Sequence, residues 1–414
     1  MDNITGFQRT VQDIEARRQR LLNNEINCIP SPFKKFRNDF YGIEQSTYYV
    51  ITSYTKGAKS QFCSYTFIYS TIVYAYFAKE NVDFKIIYFP LEETEDRIRQ
   101  RFLSWLLFKK SNGGLRISPR DLRSTTSILD ESIVDRIRQF DIDDICKYFD
   151  DHVIFPKESP NPTGIYKFCK QYAEEHGTVK KKTVQMKDEF GVLQDVEIFD
   201  SYEQDNPNEY RMIIIDTINL IDTERGMTLK QSIDKLSEYL AKYLRNRYHY
   251  SPIVIQQQAF ESEGNESFKL GRVRPSAYGA GDSKYTMRDA NVALGLFSPF
   301  RFGITEYFGY DITILKDHIR FLEVLVNRDG EMGGILPLWF DGAVCDFREL
   351  PKSSQYPDAT PADKAALDKV YNLCKTLSKT GKYPVATPNA ATVLCMTFCK
   401  KFKHLFNFNL SSFK

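Results

Sequence analysis

Two unbroken runs of β-branched residues constrain the fold of this chain more than any other feature. They are Ile213-Ile214-Ile215 and Ile253-Val254-Ile255. A strand with one face in water alternates apolar and polar residues, whereas a central strand of a parallel sheet is covered on both faces and is apolar throughout. The two runs therefore predict central strands of a parallel sheet.

The rest of the chain alternates between strand-like and helix-like segments. Strands are predicted at 48–53, 84–89, 153–155, 212–215, 253–257 and 292–297, and helices at 59–79, 94–110, 131–149, 162–176 and 228–247. Alternation of this kind places helices on both faces of the sheet. The expected fold class is α/β, with a mostly parallel central sheet flanked by helices.

Three segments interrupt or flank this pattern. Residues 1–28 hold an amphipathic helix at 6–23, which predicts an N-terminal linker with either a solvated basic face or a docking surface for a neighbouring subunit. Residues 178–203 predict a charged β-hairpin inserted into a main domain at 29–350. Residues 351–414 predict a helical basic C-terminal tail, with eight lysines and no acidic residue from position 369 onward. Such a tail is either solvated surface or a contact for nucleic acid or an acidic partner.

The composition narrows the class of protein. Of the 414 residues, 42% are apolar and 27% are charged, and the formal net charge is +2, which is ordinary for a globular chain. No segment has the uninterrupted apolar length of a membrane span, and no secretory signal is present. The eight cysteines form no C-x-x-C pair. We therefore expect a cytoplasmic protein with reduced thiols, no zinc site and no membrane partner.

The segment Ser53-Tyr54-Thr55-Lys56-Gly57-Ala58-Lys59-Ser60 lies between the first predicted strand and the first long helix. A strand, a tight loop that ends in Lys-Ser, and a helix are typical of a phosphate-binding loop. Backbone N–H groups face the phosphates, the lysine reaches the β- and γ-phosphates, and the serine hydroxyl binds Mg²⁺. Ser53 and Ala58 stand where glycines are usual, and a Cβ at 58 is strained if the loop keeps its usual backbone. Taken alone, the segment also fits a chance Lys-Ser at a helix start.

Carboxylates follow two of the predicted strands. Glu92 and Glu93 follow the strand at 84–89, where a carboxylate can polarise water for attack on a γ-phosphate. A glutamate-rich helix start would explain them equally well. Asp216 closes the apolar run at 212–215, which is the Walker B pattern, and the carboxyl end of a central strand is where such a sheet binds its ligand. Asp216 could hold Mg²⁺ there, or it could simply cap the strand.

Two polar features lie further along the chain. Gln256-Gln257-Gln258 ends a strand in amides that could sense a γ-phosphate or pass its state to a DNA-facing loop, unless the end of the strand is merely polar. Arg328 follows an apolar run and could reach across a subunit boundary to stabilise transition-state charge, unless it is an ordinary surface arginine. Between them, the polar, glycine-rich segment 259–287 is long for a loop within a compact domain, which indicates function or disorder.

The order of these features resembles the RecA-like ATPase domain of DnaB-type, superfamily-4 replicative helicases, over about residues 29–350. The segments that carry the resemblance are Ile29-Pro30-Ser31-Pro32-Phe33, the loop at 53–60, Phe89-Pro90-Leu91-Glu92-Glu93, the strands at 212–220 and 251–258, Met287-Arg288-Asp289-Ala290-Asn291-Val292, and 327–334 with 338–340 and Phe347. Each motif is weak, and the specificity lies in their common order and spacing.

The resemblance implies roles for individual residues. The nucleotide-binding set would be Ser53, Lys56, Gly57, Ala58, Lys59 and Ser60, and the Mg²⁺ ligands would be Ser60 and Asp216. The catalytic set would be Glu92 (with Glu93 as the second choice), Gln258 as a sensor and Arg328 as a finger that acts in a neighbouring subunit. The loop at 259–287 resembles the region that lines the DNA channel, where Lys269, Arg272, Arg274, Lys284 and Arg288 would contact phosphates.

The implied function is an ATP-dependent DNA helicase that forms a ring, expected to be a hexamer. It would use ATP and Mg²⁺ to move on single-stranded DNA, and a component of the replication machinery would be a further partner. The family's N-terminal primase-interaction domain has no counterpart in the sequence. A lone motor module of this kind would suit a phage or mobile-element replication protein in the cytoplasm of its host.

Departures from the family leave two other functions open. Ser53 and Ala58 replace glycines, and Val326 replaces the lysine two positions before the finger. The first alternative is a RecA-like DNA-binding ATPase, such as a recombinase or a loader, that does not unwind DNA. The second is a nucleotide-binding structural ring subunit with impaired hydrolysis.

Overall fold

The computed structural model of this chain describes residues 6–78, 82–125, 127–140, 142–187, 189–259 and 273–380. Within these ranges, nine strands form one sheet and two longer strands form a separate hairpin. In chain order they are β1 (Tyr49–Ser53), β2 (Phe84–Pro90), β3 (Val153–Ile154), β4 (Gly177–Lys187), β5 (Leu193–Gln204), β6 (Tyr210–Asp216), β7 (Ser251–Gln257), β8 (Val292–Phe297), β9 (Ile319–Asn327), β10 (Ile335–Asp341) and β11 (Asp346–Glu349). Short two-residue strands also pair at 29–30 with 42–43 and at 306–307 with 310–311.

The strands of the large sheet lie in the order β11-β10-β9-β8-β1-β7-β6-β2-β3. All pairs from β8 to β3 are parallel, whereas β9, β10 and β11 are added antiparallel. The carboxyl ends of the six parallel strands therefore meet at one edge. Because β9 runs in the opposite direction, its first residues lie at that edge and its last residues lie at the other. This mostly parallel sheet confirms the predicted fold class.

Helices cover both faces of the sheet. They are α1 (Gly6–Leu22), α2 (Lys59–Cys63), α3 (Ser70–Phe77), α4 (Glu95–Lys110), α5 (Pro119–Leu122), α6 (Glu131–Gln139), α7 (Asp143–His152), α8 (Pro162–Glu175), α9 (Leu229–Glu238), α10 (Asn246–Tyr248), α11 (Tyr285–Asp289), α12 (Ile312–Leu315) and α13 (Pro361–Thr380). Segments of π-helix at Ser64–Tyr69 and Tyr239–Arg245 join α2 to α3 and α9 to α10.

Successive residues of the central strands enter opposite hydrophobic cores. Ile214 is buried on one face with Phe62 and Trp105. Ile213 is buried on the other face with Leu236. Strand side chains alternate between faces, and both faces are covered here, so residues 212–215 of β6 are all apolar up to the final aspartate. Buried Arg211, near the start of the strand, is the exception and is ion-paired with Glu209.

One predicted helix is two helices in the structure. The helical pattern at 131–149 breaks after Gln139, and a second helix begins at Asp143 and runs to His152. The two acidic residues at 143 and 144 favour a helix N-terminus because they oppose the positive end of the helix dipole. The first helix buries no residue, whereas the second buries Ile145 and Phe149. Packing against the core therefore stabilises the second helix more than the first.

The inserted hairpin stands largely outside the two cores. Its strands pair antiparallel from Gly177 with Gln204 to Lys187 with Leu193. Cross-strand ion pairs lie along it, including Lys182 with Asp200 at 3.1 Å. The hairpin precedes β6, and its base therefore lies at the amino edge of the parallel strands, away from the edge where their carboxyl ends meet.

The two terminal helices differ in their packing. Helix α1 leaves Phe7 and Ile14 exposed. Helix α13, at the start of the predicted tail, buries Leu367 and Val370 in a third core beside β9 and β10. Among the helices that the structure describes, none is long and apolar enough to cross a membrane.

Candidate nucleotide-binding site

The loop at 53–60 leaves the sheet at the carboxyl edge of its parallel strands. It follows β1, which lies between β8 and β7, and it leads into α2 at Lys59. The loop is internally bonded: Ser53 Oγ donates to the Tyr54 carbonyl at 2.9 Å, and Gly57 N–H donates to the same carbonyl at 3.0 Å. These bonds form a compact turn, and helix α2 begins directly after it.

The loop keeps a glycine-like backbone although two glycines are replaced. Ala58 has φ 74° and ψ 24°, in the left-handed region, which costs a residue with a Cβ about 1–2 kcal/mol. Lys56 is also left-handed, with φ 60°. Position 57 requires glycine, because a Cβ there would lie 2.5 Å from Ser53 Oγ. The loop therefore adopts left-handed backbone angles at two residues that carry a Cβ, at the expense of local strain.

Asp216 lies directly beside the loop and accepts two side-chain hydrogen bonds. Ser60 Oγ donates to Oδ1 at 2.7 Å, and Tyr88 OH donates to Oδ2 at 3.0 Å. The residue is 4% exposed. Burial raises the pKa of Asp216 above its ordinary value, and the nearby Glu92 charge adds to the increase, whereas the two hydrogen bonds and the Lys59 charge oppose it. A buried carboxylate of this kind is stabilised by a cation.

Lys59 shares this environment. It is 8% exposed, and burial lowers the pKa of its ammonium group, whereas the charges of Glu92 and Asp216 raise it and that of Arg301 lowers it. The structure thus brings together Lys59, Ser60, Glu92 and Asp216, which come from three separate parts of the sequence. Their chemical roles remain predictions.

The two adjacent glutamates differ in their partners. Both carboxylate oxygens of Glu93 contact Arg101 Nη2, in an ion pair whose side chains are 27% and 13% exposed. Glu92 instead interacts electrostatically with Lys59 and Asp216. Since Glu93 is engaged by an arginine, Glu92 is the better placed of the two to act on water.

Two of the three consecutive glutamines contact different residues near the loop. The Gln258 amide, predicted as a sensor, is buried and donates to Thr52 Oγ1 at 2.8 Å and to the Ser276 carbonyl at 3.1 Å. The Gln257 amide contacts the hydroxyl of Thr55 within the phosphate-loop segment. The family resemblance gave the sensor role to Gln258 and no role to Gln257.

Arg328 does not join this cluster within its own chain. It follows β9, whose last residue, Asn327, pairs with Val292 at the amino end of β8. Arg328 is exposed, and its Nε donates to the Ala290 carbonyl at 2.9 Å. The residue therefore lies at the opposite edge of the sheet from Lys59.

The predicted DNA contacts are placed only in part. Lys269 and Arg272 lie outside the described residues. Arg274 is ion-paired with Glu323, at 2.5 Å between Nη2 and Oε1. Lys284 and Arg288 are both exposed, and the Arg288 guanidinium lies 3.8 Å from the centre of the Tyr285 ring. Arg288 is also ion-paired, with Asp289 at 3.2 Å, but its side chain is 62% exposed, against 37% for Arg274.

Further residues near the loop had no sequence signal. Tyr88 lies within an apolar strand, and its hydroxyl reaches Asp216. Arg301 approaches Lys59 closely enough to lower the pKa of the ammonium group, and the neighbouring Phe302 packs against Tyr54 with ring centres 5.4 Å apart. These residues come from segments that only the tertiary fold brings to the loop.

A separate cleft of about 560 Å³ opens beside this cluster. It lies between the end of β2, the start of α4 and the segment at 155–160, and Glu93 and Lys157 line it. Neither Lys59 nor Asp216 lines the cleft. The candidate phosphate site is therefore the loop itself, whose hydrogen bonds and charges identify it, rather than this cleft.

Comparison with known proteins connects this geometry to a fold. No protein-family model matches the chain, and no curated protein matches it either. Among solved structures, one described as an ATPase domain is similar with a TM-score of 0.58 and 13% identity, over 84% of this chain and 99% of that chain. A DnaB-like replicative helicase, described with its interactions with primase, is similar with a TM-score of 0.57 and 12% identity, over 84% of this chain and 68% of that chain. At these identities the similarity shows the fold alone, and it confirms the predicted RecA-like fold.

Proposed function

We propose that this chain is a RecA-like ATPase that binds Mg²⁺·ATP on the loop at 53–60 and hydrolyses it to move on single-stranded DNA as a ring-forming helicase. The observation that carries the proposal is the hydrogen bond from Ser60 to Asp216 beside Lys59. It joins the end of β6 to the start of α2 in the arrangement that Mg²⁺·triphosphate binding requires. The similarity to DnaB-like helicases supports the same assignment.

The residues at this edge fit a magnesium ion. A serine hydroxyl and a carboxylate are hard oxygen donors, which Mg²⁺ prefers, and the raised pKa of buried Asp216 indicates that a positive charge would be favourable there. Ser60 and Asp216 would hold the ion. When bound, it neutralises charge on the β- and γ-phosphates.

The protein side chains supply the remaining chemistry. The Lys59 ammonium group would bind the phosphate oxygens, and the backbone N–H groups of the loop and of the first turn of α2 would donate to them. Glu92 would orient the attacking water and accept its proton. Because both Lys59 and Glu92 are close to Asp216, these roles require no large rearrangement of the chain.

Arg328 would complete the site of a neighbouring copy. Its position at the opposite edge of the sheet supports a ring in which each nucleotide lies between two subunits. An arginine supplied in this way stabilises charge that develops on the transferred phosphoryl group. Lys284 and Arg288 lie at the N-cap and near the end of α11, and Arg328 donates to the Arg288 carbonyl. We propose that these two residues bind DNA phosphates. Arg274 would do the same, as would Lys269 and Arg272, which lie outside the described residues.

One observation favours a second candidate, a nucleotide-binding ring subunit with slow hydrolysis. Ala58 is held in the left-handed region where the family has glycine. Strain at this position favours loop conformations in which Ala58 has negative φ. In such conformations the N–H group of Ala58 no longer points at the phosphates. Such conformations would weaken the contacts with the phosphates as well as turnover, and turnover is the quantity that separates the two candidates.

The test is ATP hydrolysis by the purified chain, with and without single-stranded DNA. Lys59→Ala should lower turnover about 10²-fold, whereas Lys230→Ala, on the exposed side of α9, should not change it. Hydrolysis stimulated by DNA, together with separation of a forked duplex, would establish a helicase. Stimulated hydrolysis without strand separation would establish the non-unwinding ATPase. Absence of hydrolysis under both conditions, with Lys59→Ala binding ATP as well as the natural chain, would reject the proposal.

A further inference from the structure

A buried arginine donates a hydrogen bond to a backbone carbonyl of the loop at 53–60. Arg320, the second residue of β9, is 1% exposed, and its Nε donates to the Gly57 carbonyl at 3.2 Å. Because β9 runs antiparallel to the central strands, its first residues lie at the same edge as the loop. Arg320 lies in none of the predicted motifs.

The other donors of Arg320 hold its guanidinium in one orientation. Nη1 donates to the carbonyls of Asp317 and Ile319 at 2.8 and 2.9 Å, and Nη2 donates to Asp317 Oδ1 at 2.9 Å. The guanidinium also lies 4.5 Å from the centre of the Phe340 ring. A guanidinium bonded on three sides cannot turn without breaking several hydrogen bonds, so its contact with Gly57 is well defined.

The contact with Gly57 determines where the next N–H points. In a planar trans peptide, the carbonyl oxygen and the following N–H lie on opposite sides. Since the Gly57 oxygen points at Arg320, the Ala58 N–H points away from it. That is the orientation a phosphate-binding loop needs, with N–H groups toward the anion and carbonyl oxygens away from it.

Ala58 makes this orientation unstable by itself. Its φ of 74° is unfavourable for a residue with a Cβ. Rotation of the peptide between residues 57 and 58 by half a turn would move Ala58 to negative φ and relieve the strain. The same rotation would turn the Gly57 oxygen toward the phosphate side, where it would repel an anion. In a loop with glycine at position 58, no such driving force exists.

We propose that Arg320 is a positioning residue that locks the peptide between Gly57 and Ala58 in its phosphate-binding orientation, and that this lock is what allows alanine at position 58. The inference rests on the proposed function for its nucleotide-binding consequence. The lock itself is a property of the nucleotide-free chain, and it can be measured there.

The first experiment measures amide hydrogen exchange of the nucleotide-free chain over peptides that cover 54–61. The Ala58 N–H belongs to the peptide that would rotate, and the Gly57 N–H, which donates to the Tyr54 carbonyl, reports on opening of the turn before it. Arg320→Met should speed exchange in this segment about tenfold, and Arg320→Lys should give a smaller effect. The control is Arg116→Met, which removes another arginine from a buried aspartate, since Arg116 pairs with Asp341 at 2.7 Å and the Asp341 side chain is 1% exposed. The control should lower overall stability without changing exchange at 54–61.

The second experiment measures the affinity for Mg²⁺·ATP in a double-mutant cycle. Arg320→Met should weaken binding about tenfold, which corresponds to about 1.4 kcal/mol and is of the size of the strain at a left-handed alanine. Ala58→Gly should restore most of this loss in the Arg320→Met chain, because glycine accepts positive φ without strain. General destabilisation of the fold would not be repaired by a glycine in the loop.

The outcomes separate this inference from the proposed function. If exchange at 54–61 in folded Arg320→Met and Arg320→Lys equals that of the natural chain, the lock does not exist. If Ala58→Gly leaves the binding defect of Arg320→Met unchanged, the explanation through Ala58 is wrong. If the natural chain binds no Mg²⁺·ATP, the proposed function fails, and the exchange result still decides whether Arg320 holds the loop.

Discussion

The hydroxyl of Ser60 donates a 2.7 Å hydrogen bond to the carboxylate of Asp216, 156 residues later in the chain. Parallel pairing of β2 with β6, of β6 with β7, and of β7 with β1 brings the ends of these strands to one edge. The bond connects the start of the helix that follows β1 to the last residue of β6. Two hard oxygen donors at this distance make the edge suitable for a divalent cation.

Asp216→Asn should lower ATP turnover about 10²-fold, because the amide keeps the shape of the carboxylate but loses the charge that holds Mg²⁺. The thermal stabilisation that Mg²⁺·ATP gives the natural chain should also be lost. The measurements are steady-state hydrolysis and melting temperature with and without Mg²⁺·ATP. Asp222→Asn, an exposed aspartate that accepts from Ser159 Oγ at 3.1 Å, is the matched control and should behave as the natural chain.

The pH dependence of stability should also identify Asp216. Burial raises the pKa of its carboxyl in the folded chain above the unfolded value of about 3.9, so the folded state binds the proton more readily. Its contribution to the unfolding free energy is fully present below the unfolded pKa and is lost as the pH rises through the folded pKa. Without Mg²⁺, Asp216→Asn should therefore become more stable relative to the natural chain as the pH rises through that window. Parallel denaturation profiles of the two chains across pH would contradict this.

The adjacent glutamates should have separable effects. Glu92→Gln should abolish most hydrolysis while leaving ATP binding and the free energy of unfolding nearly unchanged, since it keeps the shape of the side chain and removes the base. Glu93→Gln should lower the unfolding free energy by about 1–3 kcal/mol, because it leaves the mostly buried Arg101 without its charged partner. Chemical denaturation and ATP binding measure the two effects. The reverse pattern would transfer the catalytic role to Glu93.

If each site combines the loop of one copy with Arg328 of another, two inactive variants should restore activity when they are mixed. Arg328→Ala should lower turnover about 10³-fold with little effect on binding at the loop of the same chain, and Lys59→Ala should also be inactive. A mixture of the two variants should recover part of the activity, because some interfaces then combine an intact loop with an intact arginine. A mixture of Arg328→Ala with the double variant Lys59→Ala/Arg328→Ala is the control and should recover nothing. No recovery in the first mixture would place the action of Arg328 elsewhere.

Much of the sheet could be predicted from local sequence. Predicted strands at 48–53, 253–257 and 292–297 agree with β1, β7 and β8 within two residues. These strands are buried on both faces, and such burial leaves a contiguous apolar signature. The strands β10 and β11 were not predicted from the sequence. They pair antiparallel at one side of the sheet, and a local pattern does not reveal which strand is the partner of another.

The residues of the candidate site could be predicted only where they lie at the end of a strand or at the start of the helix that follows it. Lys59, Ser60, Glu92 and Asp216 each follow a strand or begin a helix, and parallel topology then brings them to one edge. Arg320 and Tyr88 lie within strands and resemble ordinary strand residues. Their contacts with the loop depend on which strand neighbours which, and that information is absent from a local pattern.

By itself, the sequence determined the class of sheet, the loop that leaves its central strand and the acidic residue that closes β6, because burial on both faces and strand ends leave marks in the order of residues. Only the tertiary structure decided that Gln257, rather than Gln258, contacts Thr55, that Glu93 is paired with Arg101, and that Arg320 lies behind Gly57. The first and third of these contacts join residues more than 200 positions apart, and the second depends on how the first half of α4 packs against the end of β2. Their geometry follows from strand order, direction and side-chain packing, which form together when the whole domain folds.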